Sequence, residues 1–345
     1  MKKRVLVIGI LCALLSMFKF NVAVFAETNI SEVVKESIEV NGNMGDLPMD
    51  LLKDVEVAPY EENKDRIFTN EKDFAAEINL EENKINFSDV EGNEITVLVD
   101  DPDLKFENNE DGTIIFTNAE EDYSVENQIL DGGFRQIFSI DSKEAPKEFK
   151  IDIEMKEDYS LVEEEGMFYI KDSNGNNIYN IGKAWAVDSL GNFVETKYEV
   201  KNHSLYQTVN YSGDNYPVKA DPLFCSDTID NTSTKWDKNY NSGKGTFSVY
   251  TRTCTKAYIT AHWVLGPSSL TVLSQASIMS DMWSEVTADA DFKKYISSSK
   301  VGRIKDQFIC HAANPLTIYK SSWNLEPWRP DKTLAGTYIN TCNPE

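Results

Sequence analysis

The sequence predicts an all-β acidic region, an antiparallel sandwich or open barrel, followed by a small disulfide-bonded α+β domain. Three observations lead there. Short alternating apolar runs separated by Gly and Asn recur between residues 61 and 221, four of the five cysteines lie beyond residue 222, and the charge divides at the same place.

The chain begins with Lys2, Lys3 and Arg4, continues through an apolar run from Val5 to Phe18, and reaches Val24-Phe25-Ala26 ahead of Glu27. A positive start, a short apolar stretch and small residues before a polar one form a secretory signal, with cleavage between Ala26 and Glu27. A membrane anchor needs roughly 18 or more uncharged apolar residues, and Lys19 interrupts the run. Cys12 follows Leu11 rather than a small residue, which sets lipid attachment aside. The expected destination is extracellular.

Residues 27–60 read as a flexible acidic lead-in with a short helix around Ile30–Val40. From 61 to 221 the pattern changes to period two. Strands are expected at Glu94–Val99, Thr113–Thr117, Phe134–Ile140, Phe149–Met155, Met167–Lys171 and Phe193–Val200, in a set of about ten. Turns fall at Glu91-Gly92-Asn93, Asp111-Gly112, Asp131-Gly132-Gly133, Asn174-Gly175-Asn176 and Gly191-Asn192, where Gly and Asn accept positive φ. The run Glu120-Glu121-Asp122 lacks the spacing of an ordered calcium loop and reads as a solvated turn.

Residues 27–221 carry 46 acidic and 17 basic side chains, a net charge of −29. Residues 222–345 carry 11 and 13, a net of +2. Such asymmetry suits two regions with separate roles, although acidity alone also serves solubility. Cys225, Cys254, Cys310 and Cys342 are even in number, so an exported chain is expected to pair them. Four cysteines allow three connectivities, and spacing suggests Cys225–Cys254 and Cys310–Cys342. No C-x-x-C occurs, and among histidines His262 and His311 alone lie nearby, so neither a metal nor another cofactor is expected.

The C-terminal domain, 222–345, is long enough for one independent unit. Strands are expected at Thr246–Arg252 and Ala257–Val264, then a helix over Ser274–Val286 with Ile278, Met282 and Val286 at fourfold spacing. The stripe of Met279, Met282 and Trp283 reads as core. Lys293, Lys294, Lys300, Arg303 and Lys305 form a modest basic cluster, which a solvated face explains; +2 is too little charge to favour nucleic acid.

Between the two regions stands Asn210-Tyr211-Ser212-Gly213-Asp214-Asn215-Tyr216-Pro217-Val218-Lys219-Ala220-Asp221-Pro222, whose Gly and Pro residues punctuate the chain. Its Tyr216–Pro222 stretch resembles the "YPVxADP" junction of closticin-type bacteriocin precursors. That resemblance implies a β-rich pro-region and release of an antibacterial C-terminal domain by cleavage between Asp221 and Pro222. The chain ends with Asp306-Gln307-Phe308-Ile309-Cys310-His311, then Trp323-Asn324-Leu325-Glu326-Pro327-Trp328-Arg329-Pro330 and Cys342-Asn343-Pro344. This pattern resembles the secreted bacterial family known as domain of unknown function 2599. The resemblance runs over about residues 225–344, supports a Cys310–Cys342 bridge and implies no activity.

His311 beside Glu326 or Asp331 has the composition of a general base and its partner. Neither G-x-S-x-G nor H-E-x-x-H accompanies it, and a disulfide-bonded Cys310 cannot act as nucleophile. Arg329 suits clamping a phosphate or carboxylate, or stacking on an indole. Structural roles are favoured for both His311 and Arg329, with Trp323, Trp328, Pro327 and Pro330 locking a rigid loop. Three functions compete: an antibacterial protein acting on a target cell's envelope or receptor after leaving its own pro-region, a zymogen-like hydrolase using His311, and an uncleaved surface-binding protein.

Overall fold

The computed structural model describes residues 55–264, 269–313 and 315–332, together with Thr337, Cys342 and Asn343. The expected signal peptide, the Ala26–Glu27 cleavage point and the helix around Ile30–Val40 lie outside the described residues, as does Pro344. Among the described residues two compact units are present: one holds residues 55–234 and 249–264, the other residues 235–248 and those from 269 onward.

The first unit is built from short strands: β1 (Glu61–Glu62), β2 (Arg66–Asn70), β3 (Phe74–Asn79), β4 (Lys84–Asp89), β5 (Glu94–Val99), β6 (Lys105–Glu110), β7 (Thr113–Asn118), β8 (Tyr123–Leu130) and β9 (Gly133–Ile140). Then come β10 (Glu148–Met155), β11 (Ser160–Glu164), β12 (Met167–Lys171), β13 (Asn177–Ile181), β14 (Trp185–Val187), β15 (Glu195–Lys201), β16 (Ser204–Asn210), β17 (Val218–Asp221) and β18 (Leu223–Ser226). One antiparallel sheet runs β1-β2-β3-β4-β5-β10-β16-β15. The second runs β11-β12-β13-β18-β9-β8-β7-β6, with β17 paired to both β9 and β14.

Alternation decides which side of each strand is buried. Phe74, Ala76 and Ile78 of β3, and Ile95, Val97 and Val99 of β5, point inward while their neighbours stay partly exposed. The two inner faces share one core, in which Phe87 meets Phe134 at 6.0 Å and Phe138 stacks on Phe149 at 4.3 Å. The strands outnumber the ten that alternation suggests. β6, KFENNE, shows why: a mostly exposed strand needs little apolar alternation, so its sequence carries almost no strand signal. The hairpin after it is legible, since Asp111 and Gly112 both take positive φ between the paired residues Glu110 and Thr113.

β9 is the strand around which the second sheet is organised. All eight of its residues are buried, and it pairs with β8 along one edge and with β18 and β17 in succession along the other. At its start, Gly133 lies so close to the neighbouring chain that an added Cβ would sit 2.1 Å from the Phe224 carbonyl oxygen and 2.5 Å from Cys254 Sγ. Gly133→Ala is therefore expected to destabilise this unit by about 1–3 kcal/mol through overpacking, read as a lower urea midpoint.

The expected strand Ala257–Val264 is instead the last two-thirds of a helix, α1 (Thr253–Val264). Ala257, Tyr258, Ile259 and Ala261 are all buried, and a continuous apolar run does not distinguish a strand from a helix buried on several sides. The Thr260 hydroxyl bonds the Lys256 carbonyl one turn back, which satisfies a β-branched polar residue inside the helix. α1 packs on β18, and Cys254 near its start is disulfide-bonded to Cys225 of that strand.

The second unit has the α+β composition expected. β19 (Thr232–Asp237), β20 (Thr246–Thr251) and β21 (Trp323–Leu325) form a three-stranded sheet in that order. Its helices are α2 (Ser269–Ala288), α3 (Ala290–Tyr295), α4 (Val301–Ala312) and the single turn α5 (Pro315–Ile318). Asp289 caps α3 by accepting from the Asp291 and Phe292 amides. Ile278, Met279, Met282 and Val286 of α2 are buried, and Trp283 packs edge-on to Phe292 and against Phe308.

Candidate functional site

The Asp221–Pro222 bond lies within the second sheet of the first unit. Asp221 ends β17, with Trp185 of β14 as its register partner, and β18 begins one residue after it, at Leu223. Between the two strands the Pro222 carbonyl accepts from the Gln136 amide of β9 at 3.1 Å. Proline suits this point because it contributes an acceptor without a donor. The Gly- and Pro-rich segment that reads as a boundary in sequence thus leads into two further strands, and the compact unit continues to residue 234. Local turn chemistry reports where the chain bends, and the pairing with β9 is a long-range matter that it does not encode.

Asp221 is 2% exposed, and burial pushes its carboxyl up to about 8. The positive charge of Arg135 on β9 and a hydrogen bond from the Trp185 side chain of β14 oppose that shift without cancelling it. The Tyr198 hydroxyl of β15 donates to the main-chain carbonyl of Asp221. Tyr198 is itself buried, which raises its pKa well above that of a free phenol and keeps it a proton donor. A protonated carboxyl, a proline nitrogen and a hydrogen-bonded carbonyl therefore meet at one peptide bond.

A carboxyl whose folded pKa is raised from 3.8 to about 8 gives its full stabilising contribution below about pH 4 and loses it as pH rises through 8. The urea midpoint of this unit is expected to fall between pH 5 and pH 9. Asp221→Asn is expected to flatten that slope.

The C-terminal motif forms a packed corner of the second unit. Gln307 of α4 holds the main chain of Glu326 at both ends, accepting from its amide at 2.7 Å and donating to its carbonyl at 3.2 Å. The Glu326 carboxylate, 1% exposed, pairs with Arg329. Arg329 also lies over the Trp328 ring at 4.4 Å, with Lys244 over the same ring at 4.3 Å. Trp328 donates to the Gly245 carbonyl at 3.0 Å. Pro327 is buried and Pro330 exposed, at the two ends of this turn. Arg303 donates to the Arg329 carbonyl and lies 3.9 Å from Asp331.

His311 and Glu326 are thus given different partners. The His311 ring lies parallel to Trp323, centroids 6.3 Å apart, and is 1% exposed. Burial, and then the charge of Lys320, lower its pKa from 6.5 to about 4, so it is neutral and sealed at neutral pH. Its stabilising contribution is complete above pH 6.5 and is lost as pH falls through 4. Thermal unfolding followed between pH 7 and 4 is expected to show this unit weakening, less so in His311→Phe. Cys310, the residue before it, is bonded to Cys342.

Sequence reasoning named Asp221 and Pro222, and missed Tyr198 and Trp185. Tyr198 lies in a run recognised as a strand, but nothing local ties it to a bond 23 residues later. Sequence also left the task of Gln307 unread, since an amide that braces a distant main chain has no spacing signature.

Among the described residues no helix is long and apolar enough to cross a membrane. Two disulfides fit an oxidising compartment. Residues 232–345 match a family described as a protein of unknown function, DUF2599. The match begins after the Asp221–Pro222 bond and covers the whole C-terminal motif. No curated protein matches the chain.

Proposed function

We propose that this chain is an exported precursor of an antibacterial protein. Residues 222–345 separate from the acidic β-rich region at the Asp221–Pro222 bond and act on the envelope of competing bacteria. The observation that carries the reading is covalent. Both cysteines of each disulfide, Cys225–Cys254 and Cys310–Cys342, lie beyond Pro222, so a cut there crosses no cross-link. The same cut separates a net charge of −29 from one of +2. It also falls at the matching position of the YPVxADP junction. Each product is then covalently self-contained, and the one exposed to a foreign environment keeps both staples.

Intact-mass and N-terminal analysis of the protein in culture medium tests this directly. The expected product begins at Pro222 and inhibits growth of sensitive cells, while a chain held intact by Asp221→Ala does not. A medium in which the exported chain never begins at Pro222 rejects the reading.

A further inference from the structure

We propose that the Asp221–Pro222 bond is cut by the chain itself, with Asp221 as nucleophile and Tyr198 as the group that polarises the scissile carbonyl. The inference rests on the reading that this bond is the processing point, and concerns what cuts it. A protease draws an extended segment of its substrate into a cleft, but here the segment is already paired on both sides, by β14 and β9. Asp221 is 2% exposed and the next main-chain carbonyl is bonded to Gln136. A folded chain offers this bond to its own side chains and to little else.

Those side chains suit the reaction. The Asp221 carboxyl oxygen attacks the carbonyl carbon of the same residue and closes a five-membered cyclic anhydride. Its proton passes to the Pro222 nitrogen, the C–N bond breaks, and proline leaves as a secondary amine. Water then opens the anhydride, restoring the side-chain carboxyl of Asp221 and leaving its main-chain carboxyl as a new C-terminus, so one water is consumed overall. As charge develops on the carbonyl oxygen, the Tyr198 hydroxyl is already donating to it. The carboxyl has to begin protonated to supply the proton. In water that state is confined to acid, whereas burial keeps it at neutral pH. Arg135 is the cation that acts on this carboxyl, Trp185 its hydrogen-bond partner, and Tyr198 the titratable group at its carbonyl; raising pH through about 8 removes the proton and is expected to slow cleavage.

The experiment uses the full exported chain, purified uncut at high pH with protease inhibitors and then shifted to pH 6. Two fragments are expected whose masses sum to the parent plus one water, the second beginning at Pro222. The rate is expected to be first-order, independent of protein concentration, and faster folded than in guanidinium at the same pH. Tyr198→Phe is expected to slow cleavage about 100-fold without shifting the pH at which it falls away. Asp221→Ala is expected to abolish it. Equal rates in folded and unfolded chain, or no effect of Tyr198→Phe in a folded variant, overturn self-cleavage. Should Tyr198→Phe not fold, Pro222→Ala replaces it, and undiminished cutting there overturns the proposal. A purified chain that stays whole while the medium contains chains beginning at Pro222 overturns self-cleavage and leaves the precursor reading standing. Absence of that product from both overturns both.

Discussion

Trp323→Ala is expected to destabilise the second unit by about 4 kcal/mol. Trp323 is completely buried on β21. Its ring meets Phe308 edge-on at 5.8 Å and lies parallel to His311. Its indole N–H is shared between the carbonyls of Thr317 and Ile318, at 3.2 and 3.3 Å. Truncation opens a cavity between α4 and the sheet and leaves two carbonyls at the end of α5 without that donor. Trp323→Phe keeps most of the volume and loses the donor, so a smaller loss of about 1–2 kcal/mol is expected. Urea unfolding followed by far-UV circular dichroism compares the two on a signal that does not depend on this indole, one of the six in the chain, which both variants lose. Equal midpoints for wild type and Trp323→Ala contradict the packing described. Against a typical domain stability of about 5–15 kcal/mol, such a loss also lowers the amount of folded protein.

The paired substitution Cys225→Ala/Cys254→Ala is expected to cost the first unit about 3–4 kcal/mol. The bridge closes a loop over a sequence separation of 29, and constraint of the unfolded chain by a loop of that length is worth about that much. The cysteines join β18 to the start of α1, and both are buried. Substituting the pair rather than one partner avoids a lone thiol. Unfolding of oxidised wild type, reduced wild type and the paired variant checks the size. Reduction alone is expected to reproduce most of the loss, and a variant as stable as the oxidised chain contradicts it.

Period two made much of the sandwich readable. Glu94–Val99 and Met167–Lys171 are strands with the expected limits, and Phe134–Ile140 is one residue short of β9. Where alternation fails, so does the reading. β6 is too exposed to show it, and α1 too buried. Both disulfides follow the pairing suggested by spacing, because each joins neighbours in an order of four. The candidate sites divide in the same way. Asp221 and Pro222 are conspicuous as a dipeptide in a motif, but the environment that gives them chemical meaning comes from β9, β14 and β15, all distant in sequence. His311, Glu326 and Arg329 sit in a dense motif that draws attention. Density alone does not say whether residues converge on a ligand or on each other, and here Glu326 and Arg329 satisfy one another while His311 lies against Trp323.

The second sheet takes β17 from one side of the Asp221–Pro222 bond and β18 from the other, and both are held by β9. Breaking that one covalent link removes none of the hydrogen bonds by which β18 is held to β13 and β9. Cutting and parting are therefore separate events with separate clocks. A chain nicked there would persist as a non-covalent complex in which β18 stays paired with β13 and β9. Its lifetime would be set by how fast a strand and the helix clamped to it peel away, and not by the chemistry at the bond. Dilution or a change of pH would then shift how much of the nicked chain stays together.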